Sequence, residues 1–251
     1  MKFPDPLQSG RLLKREKRFL VHVRLDDGSE TIAHTNNTGS IRGCSLPGNR
    51  VWLSPADNPQ RKLAWTLELI AVDDDESTLV GVNTLLANKL AREGIETGVI
   101  VELAGYDRLR TEVRPPASNS RLDLLLESGP ESAAARTWVE VKNVTYREGD
   151  VALFPDAVTT RGRKHLLELA RLVAGGDRAV LLFVVQREDV QQIGPADRID
   201  PEYGQATAPT PKIPPRTSSA CSCQSGSFAD PCRRPPVRRQ LGHTGLRVEE
   251  H

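Results

Sequence analysis

Residues 179–185, Ala-Val-Leu-Leu-Phe-Val-Val, form seven consecutive apolar residues. A strand presents its side chains alternately to two faces, so a run this unbroken has to be covered on both. It predicts a sheet with packed layers on either side, which places the chain in the α/β class. A helix to supply one layer precedes it. Residues 160–174 put Leu166, Leu169 and Val173 on one face with Ala170 beside them, and Gly175-Gly176 ends the pattern.

Upstream, residues 83–93 read as a helix with Leu85, Leu86, Ala87 and Leu90 on its apolar face and Gly94 as its stop. Residues 109–114 alternate as a strand closed by Pro115-Pro116, and residues 121–127 and 137–145 read as two more. The order is helix, three strands, helix, strand: a mixed sheet with helices packed on it. The first third differs. Residues 19–25 end at the hairpin signal Asp26-Asp27-Gly28, and 31–33, 51–53, 65–72 and 78–82 complete about five short strands. Five short strands without a long helix point to a small barrel, the OB-fold being the commonest of this size, with a β-sandwich as the alternative.

The 251 residues, 38% of them hydrophobic, suffice for two modest cores. The net charge of +1 names no partner by itself. Seven Lys or Arg against three Asp or Glu lie from Thr207 onward, so the preceding part is net acidic and any nucleic-acid contact must come from local basic clusters. No apolar run is long enough to span a bilayer and the start carries no secretory signal, so a cytoplasmic protein is expected. Of four cysteines only Cys44 precedes residue 207, which leaves no disulfide framework. From Thr207 the chain is rich in Pro, Ser, Thr, Arg and Cys and has no apolar period, the composition of a disordered tail. Cys221, Cys223, Cys232 and His243 lack the paired spacing of a zinc site.

The chemistry-bearing pattern lies in the middle. On a strand, Glu140 and Lys142 share one face while Val139 and Val141 take the other. Asp123 sits on the preceding strand, and antiparallel pairing of the two would bring it within reach of the same cation as Glu140. Two carboxylates, a backbone carbonyl and waters make a site for Mg²⁺ or Mn²⁺, which would polarise a phosphodiester. Lys142 would orient or help deprotonate the attacking water and offset the repulsion between the acids. Alone the pattern is weak, because a cross-strand ion pair on a solvated sheet gives the same residues and is worth about 0–1 kcal/mol. The surrounding order of elements resembles the PD-(D/E)XK nuclease-like fold and favours the site. Two basic clusters offer phosphate contacts: Arg11, Lys14, Arg15, Lys17 and Arg18 early in the chain, and Arg161, Arg163 and Lys164 opening the second helix. Trp52 and Trp65 read as core, Phe154 as the better exposed aromatic, and Asn37-Thr38-Gly39 as a turn. His22 and His34 read as structural or surface, and His165 as a neighbour of the basic helix face. No Walker loop, dinucleotide fingerprint or Ser-His-Asp order is present.

Several short segments, taken together and in order, resemble the sugar fermentation stimulation protein A (SfsA) family. They are Arg18-Phe19-Leu20, Asn37-Thr38-Gly39, Gly43-Cys44, Pro47-Gly48, Val82-Asn83-Thr84, Ser120-Arg121-Leu122-Asp123, Glu140-Val141-Lys142 with Val144-Thr145, Phe154-Pro155-Asp156-Ala157-Val158-Thr159, and Arg161-Gly162 with Lys164-His165-Leu166. The resemblance implies an OB-like domain over residues 1–82, a PD-(D/E)XK-like domain over 83–203, DNA binding, and a link to sugar-utilisation genes. Ile41 stands where the family leads one to expect Met. After Arg198-Ile199-Asp200-Pro201-Glu202-Tyr203 the family continues into an amphipathic helix and a final strand, whereas residues 204–251 here read as a disordered tail. Two origins stay open: a shifted reading frame near 203–206, or a natural tail. Loss of the final strand would leave a sheet edge uncovered. Two functional readings stay open as well, a Mg²⁺-dependent nuclease and a non-catalytic DNA-binding regulator of maltose-type genes. Direct sugar binding has no evident site.

Overall fold

The structure, a computed structural model, describes residues 3, 6–56, 58, 60–73, 76–129 and 135–207, together with the backbone of 246–250. The first unit is built from β1 (Gln8–Glu16), β2 (Leu20–Leu25), β3 (Glu30–His34), β4 (Arg50–Pro55), β5 (Trp65–Val72) and β6 (Thr78–Gly81). β1 pairs antiparallel with β2 and β4, β2 with β3, and β4 with β5. A parallel pairing of β3 with β5 closes the ring, and β6 is added outside it on β5. This is the closed five-stranded OB barrel. Alternation fills it: Leu12, Val21, Val23, Ala33, Val51, Leu53, Leu67 and Ile70 all point inward and are fully buried. The sequence reading counts 78–82 among the five barrel strands and takes the basic run of residues 11–18 as lying at the start of the barrel. In the structure that run lies largely on β1, the first barrel strand, and only Lys17 and Arg18 turn the corner, with φ of 49° and 66°. The charges hide the strand because Leu12 is the only one of these positions that is fully buried.

The second unit follows as α1 (Thr84–Glu96), β7 (Arg108–Val113), β8 (Leu122–Glu127), β9 (Arg136–Val144), β10 (Tyr146–Glu148), β11 (Val151–Phe154), α2 (Thr160–Ala174), β12 (Arg178–Val185), β13 (Gln192–Pro195) and α3 (Pro201–Thr207), with β14 (Leu246–Glu250) last. Its main sheet runs β14-β12-β9-β8-β7; β7, β8 and β9 are antiparallel neighbours and β9 lies parallel to β12. The apolar run is covered as expected. Val180, Leu182 and Val184 face the cluster under α1, and Ala179, Leu181, Phe183 and Val185 face the one under α2. β10, β11 and β13 form a small separate sheet that the sequence pattern did not announce.

Three local expectations change. Gly94 does not stop α1; it is buried within the helix, which runs to Glu96 before Gly98 takes φ of 74°. Phe154 is not an exposed platform but packs on Phe183 and Tyr203, with ring centroids 5.7 and 5.3 Å away. Residues 204–207, assigned to the tail, continue α3, and the backbone of β14 pairs antiparallel with β12, so that edge is occupied. Residues 208–245, including Cys221, Cys223, Cys232 and His243, lie outside the described residues. Among the described residues no helix is long and apolar enough to cross a membrane.

The two units are joined by specific contacts. Gly81 N–H donates to the Gln186 carbonyl at 2.8 Å, and Ile41 N–H donates to the Asp156 carboxylate at 2.8 Å. Arg187, buried, donates to the Thr145 carbonyl beside Cys44 and makes a two-point pair with Asp189. Asn83, the N-cap of α1, accepts from Leu85 N–H and from Asn36, and donates to the buried Glu68 of the barrel.

Candidate active site

β8 and β9 pair antiparallel up to Leu124 opposite Val139. Asp123 is the next residue along β8, and continuing the register puts it across from Glu140. There the strands stop forming the ladder, and the Asp123 side chain takes the vacated backbone donor: Val141 N–H donates to its Oδ2 at 2.6 Å. The Asn88 amide of α1 donates to Oδ1 at 2.8 Å. Burial, and after it the charge of Glu140, pushes the Asp123 carboxyl up to about 6, against the two hydrogen bonds and Lys142, which favour its charged form.

Glu140 projects from β9 toward α2 and is 4% exposed. Its Oε1 accepts from both Lys142 Nζ and His165 Nδ1. Burial alone would raise this carboxyl; the His165 bond and the Lys142 ammonium outweigh it and hold Glu140 below the ordinary carboxylate range. Its Oε2 is buried and has no hydrogen-bond partner among the described residues. A buried carboxylate oxygen without a donor is costly, of order 1–3 kcal/mol or more, unless a cation is meant to meet it. The donor set therefore fits a hard divalent ion through Glu140 Oε2 and Asp123, completed by a carbonyl and water. Among the described residues no group of three or more acids, histidines or cysteines gathers to hold a metal, so the protein side would supply two carboxylates only.

The structure thus brings Asp123, Glu140 and Lys142 together as the strand pattern predicts. It adds Asn88 and His165, which the sequence reading did not assign to the site. A signal for His165 existed: it lies on the same stripe of α2 as Leu166, Leu169 and Leu172, and a polar residue on an apolar stripe needs a buried partner.

The basic residues divide. Arg161 and Lys164 are exposed on the first turns of α2, and Arg161 is one turn before His165 on the same side of the helix. Arg163 is paired with Glu202 of α3. On the barrel, Lys17 and Arg18 are exposed at the β1–β2 turn, Lys14 meets Glu16 at 2.5 Å, and Arg11 pairs with Glu76 and donates to the Gly48 carbonyl. Arg15 is engaged internally: its guanidinium donates to the carbonyls of Arg18, Asn37, Gly39 and Ser40 at 2.5–3.0 Å. Burial lowers its pKa, with Asp156 pulling the other way.

The family model described as "SfsA N-terminal OB domain" matches residues 13–82, and "Sugar fermentation stimulation protein RE domain" matches residues 85–211. The chain belongs to the sugar fermentation stimulation protein (SfsA) family. Among its SfsA relatives, the homolog of Geobacter sulfurreducens is 56% identical over 204 residues, covering 81% of this chain and 84% of that one. The homolog of Maricaulis maris is 52% identical over 250 residues, 99% of both chains, an alignment that takes in the segment after Thr207. A solved structure of Pyrococcus furiosus SfsA in complex with Ca²⁺ matches with a TM-score of 0.73 at 28% identity, covering 82% of this chain and 84% of that one.

Proposed function

We propose that this SfsA protein binds DNA and that its second domain hydrolyses phosphodiesters as a PD-(D/E)XK-type nuclease using Mg²⁺ or Mn²⁺. The observation that carries the reading is the buried Oε2 of Glu140, without a hydrogen-bond partner among the described residues, beside Asp123 where the β8–β9 ladder ends. The Ca²⁺ complex of the Pyrococcus furiosus relative supports a divalent ion in this family. When bound, such an ion would polarise the phosphate and offset charge developing on its oxygens. The chain's own residues do the rest. Asp123 and Glu140 supply the oxygens, kept in place by Val141 N–H, Asn88 and His165. Lys142 offsets the two acids and, being 12% exposed, can donate to a water or phosphate oxygen at the site. Arg161 and Lys164 at the start of α2 would hold the flanking backbone.

The test is incubation of the full chain with labelled single- and double-stranded DNA, with Mg²⁺ or Mn²⁺ and with chelator. Cleavage should need the cation and disappear in Asp123→Ala and Glu140→Gln, the latter keeping its DNA affinity. Equal turnover in Glu140→Gln and the native chain would sink the assignment. One observation favours a second reading, a non-catalytic DNA-binding regulator of sugar-utilisation genes: only two acids converge, and among the described residues no third Asp, Glu, His or Cys gathers with them to hold a metal. Salt-sensitive binding without cleavage, by a folded protein, would establish it.

A further inference from the structure

His165 lies within the apolar layer between α2 and the sheet, 6% exposed, and its Nδ1 meets Glu140. Its depth is fixed by the start of α2. Thr159 caps the helix by accepting from Gly162 N–H at 3.0 Å, and Asp200 in turn accepts from Thr159 N–H at 2.8 Å and Tyr203 N–H at 3.0 Å. Gly162 permits this approach, because a Cβ there would come within 2.8–3.0 Å of Thr159 and Tyr203 side-chain atoms. The helix is therefore clamped against α3 one turn before it delivers the imidazole.

Two donors from different elements, Lys142 on β9 and His165 on α2, converge on one oxygen of Glu140, and among the described residues none reaches the other. Lys142 sits on a flexible stem and by itself leaves the carboxylate free to turn. A second donor on the same oxygen, held by a packed ring, fixes the carboxylate plane. This is the way outer partners orient metal-ligating side chains. We propose that His165 is a positioning residue that turns the Oε2 of Glu140 toward the cation, so that cation affinity is set from α2 as well as from the strands.

The proposal rests on the cation-binding reading above, and titration of the full chain with Mn²⁺ alone, by calorimetry, separates the two. His165→Ala and His165→Leu should weaken Mn²⁺ binding about tenfold or more, within the range for loss of an outer partner. His165→Asn places an amide nitrogen near the position of Nδ1 and should stay within about threefold of the native chain. Melting curves identify folded variants, and His165→Leu, which fills the volume without donating, decides if the alanine protein does not fold. A folded Leu or Ala variant with native affinity overturns the role of His165 alone, as does an Asn variant as weak as the Leu one. Absence of Mn²⁺ binding by the native chain overturns the site reading and the role together.

Discussion

Arg15 and Arg161 carry the same charge and would be equal candidates for a phosphate on composition alone, yet their donors are placed differently. Arg15 is committed to four backbone carbonyls of neighbouring turns, whereas Arg161 is exposed. Changing Arg161 and Lys164 together to Ala should flatten the slope of log DNA affinity against log salt, whereas Arg15→Ala should lower the melting temperature. A slope unchanged by the double variant removes that helix end from the DNA surface. Asp123 sets a pH dependence. With its carboxyl raised from 3.8 to about 6 in the fold, the folded chain holds a proton that the unfolded one has lost between those values. Stability contributed by this group is thus lost as pH rises through the window. In chelator, the melting temperature of Asp123→Asn minus that of the native chain should grow between about pH 4 and about pH 7, by the equivalent of roughly 2 kcal/mol. A difference independent of pH would show that Asp123 titrates normally. Strand alternation made Asp123, Glu140 and Lys142 legible. The stripe of α2 marks His165 as buried but not its partner, and Asn88 carries no such mark, because which helix residue reaches which strand depends on how deeply the helix docks.

At the level of elements, α2, β12 and most barrel strands were readable, whereas the small sheet of β10, β11 and β13 was not. The α2 boundaries follow from its apolar stripe and the Gly175-Gly176 end. β12 follows from its two-sided burial. Leu181→Ala, at a fully buried position of that strand, should cost about 2–5 kcal/mol in urea unfolding, since both faces are packed and the cavity cannot easily collapse. A loss under about 1 kcal/mol would mean that the layers close around the cavity. By contrast β10, β11 and β13 have three or four residues each, too few for a period to show. Gly94 misled for a related reason: glycine ends many helices, but here it is buried inside one, where tertiary packing overrides its propensity.

Over the whole molecule, the change from short strands to alternating helices and strands is the feature that divides the sequence near Val82. The joint between the barrel and the second unit was invisible in the sequence, because its partners are distant: Ser40 and Ile41 meet Asp156, and Gly81 meets Gln186. Nor did composition reveal that β14 returns to β12. Cys44 sits within this joint, fully buried, its Sγ 3.6 Å from the Thr145 carbonyl and 3.8 Å from Arg187, with burial pushing its thiol up. A reagent in solution can reach that sulfur only when the barrel and the sheet part. With Cys221, Cys223 and Cys232 replaced by Ser, the labelling rate of Cys44 should therefore rise severalfold in Asp156→Ala, under conditions where far-ultraviolet circular dichroism shows both variants folded. Labelling that tracks only global unfolding would mean that the units do not open separately. A packed thiol then acts as a timer, converting the seam between two domains into a measurable frequency of opening.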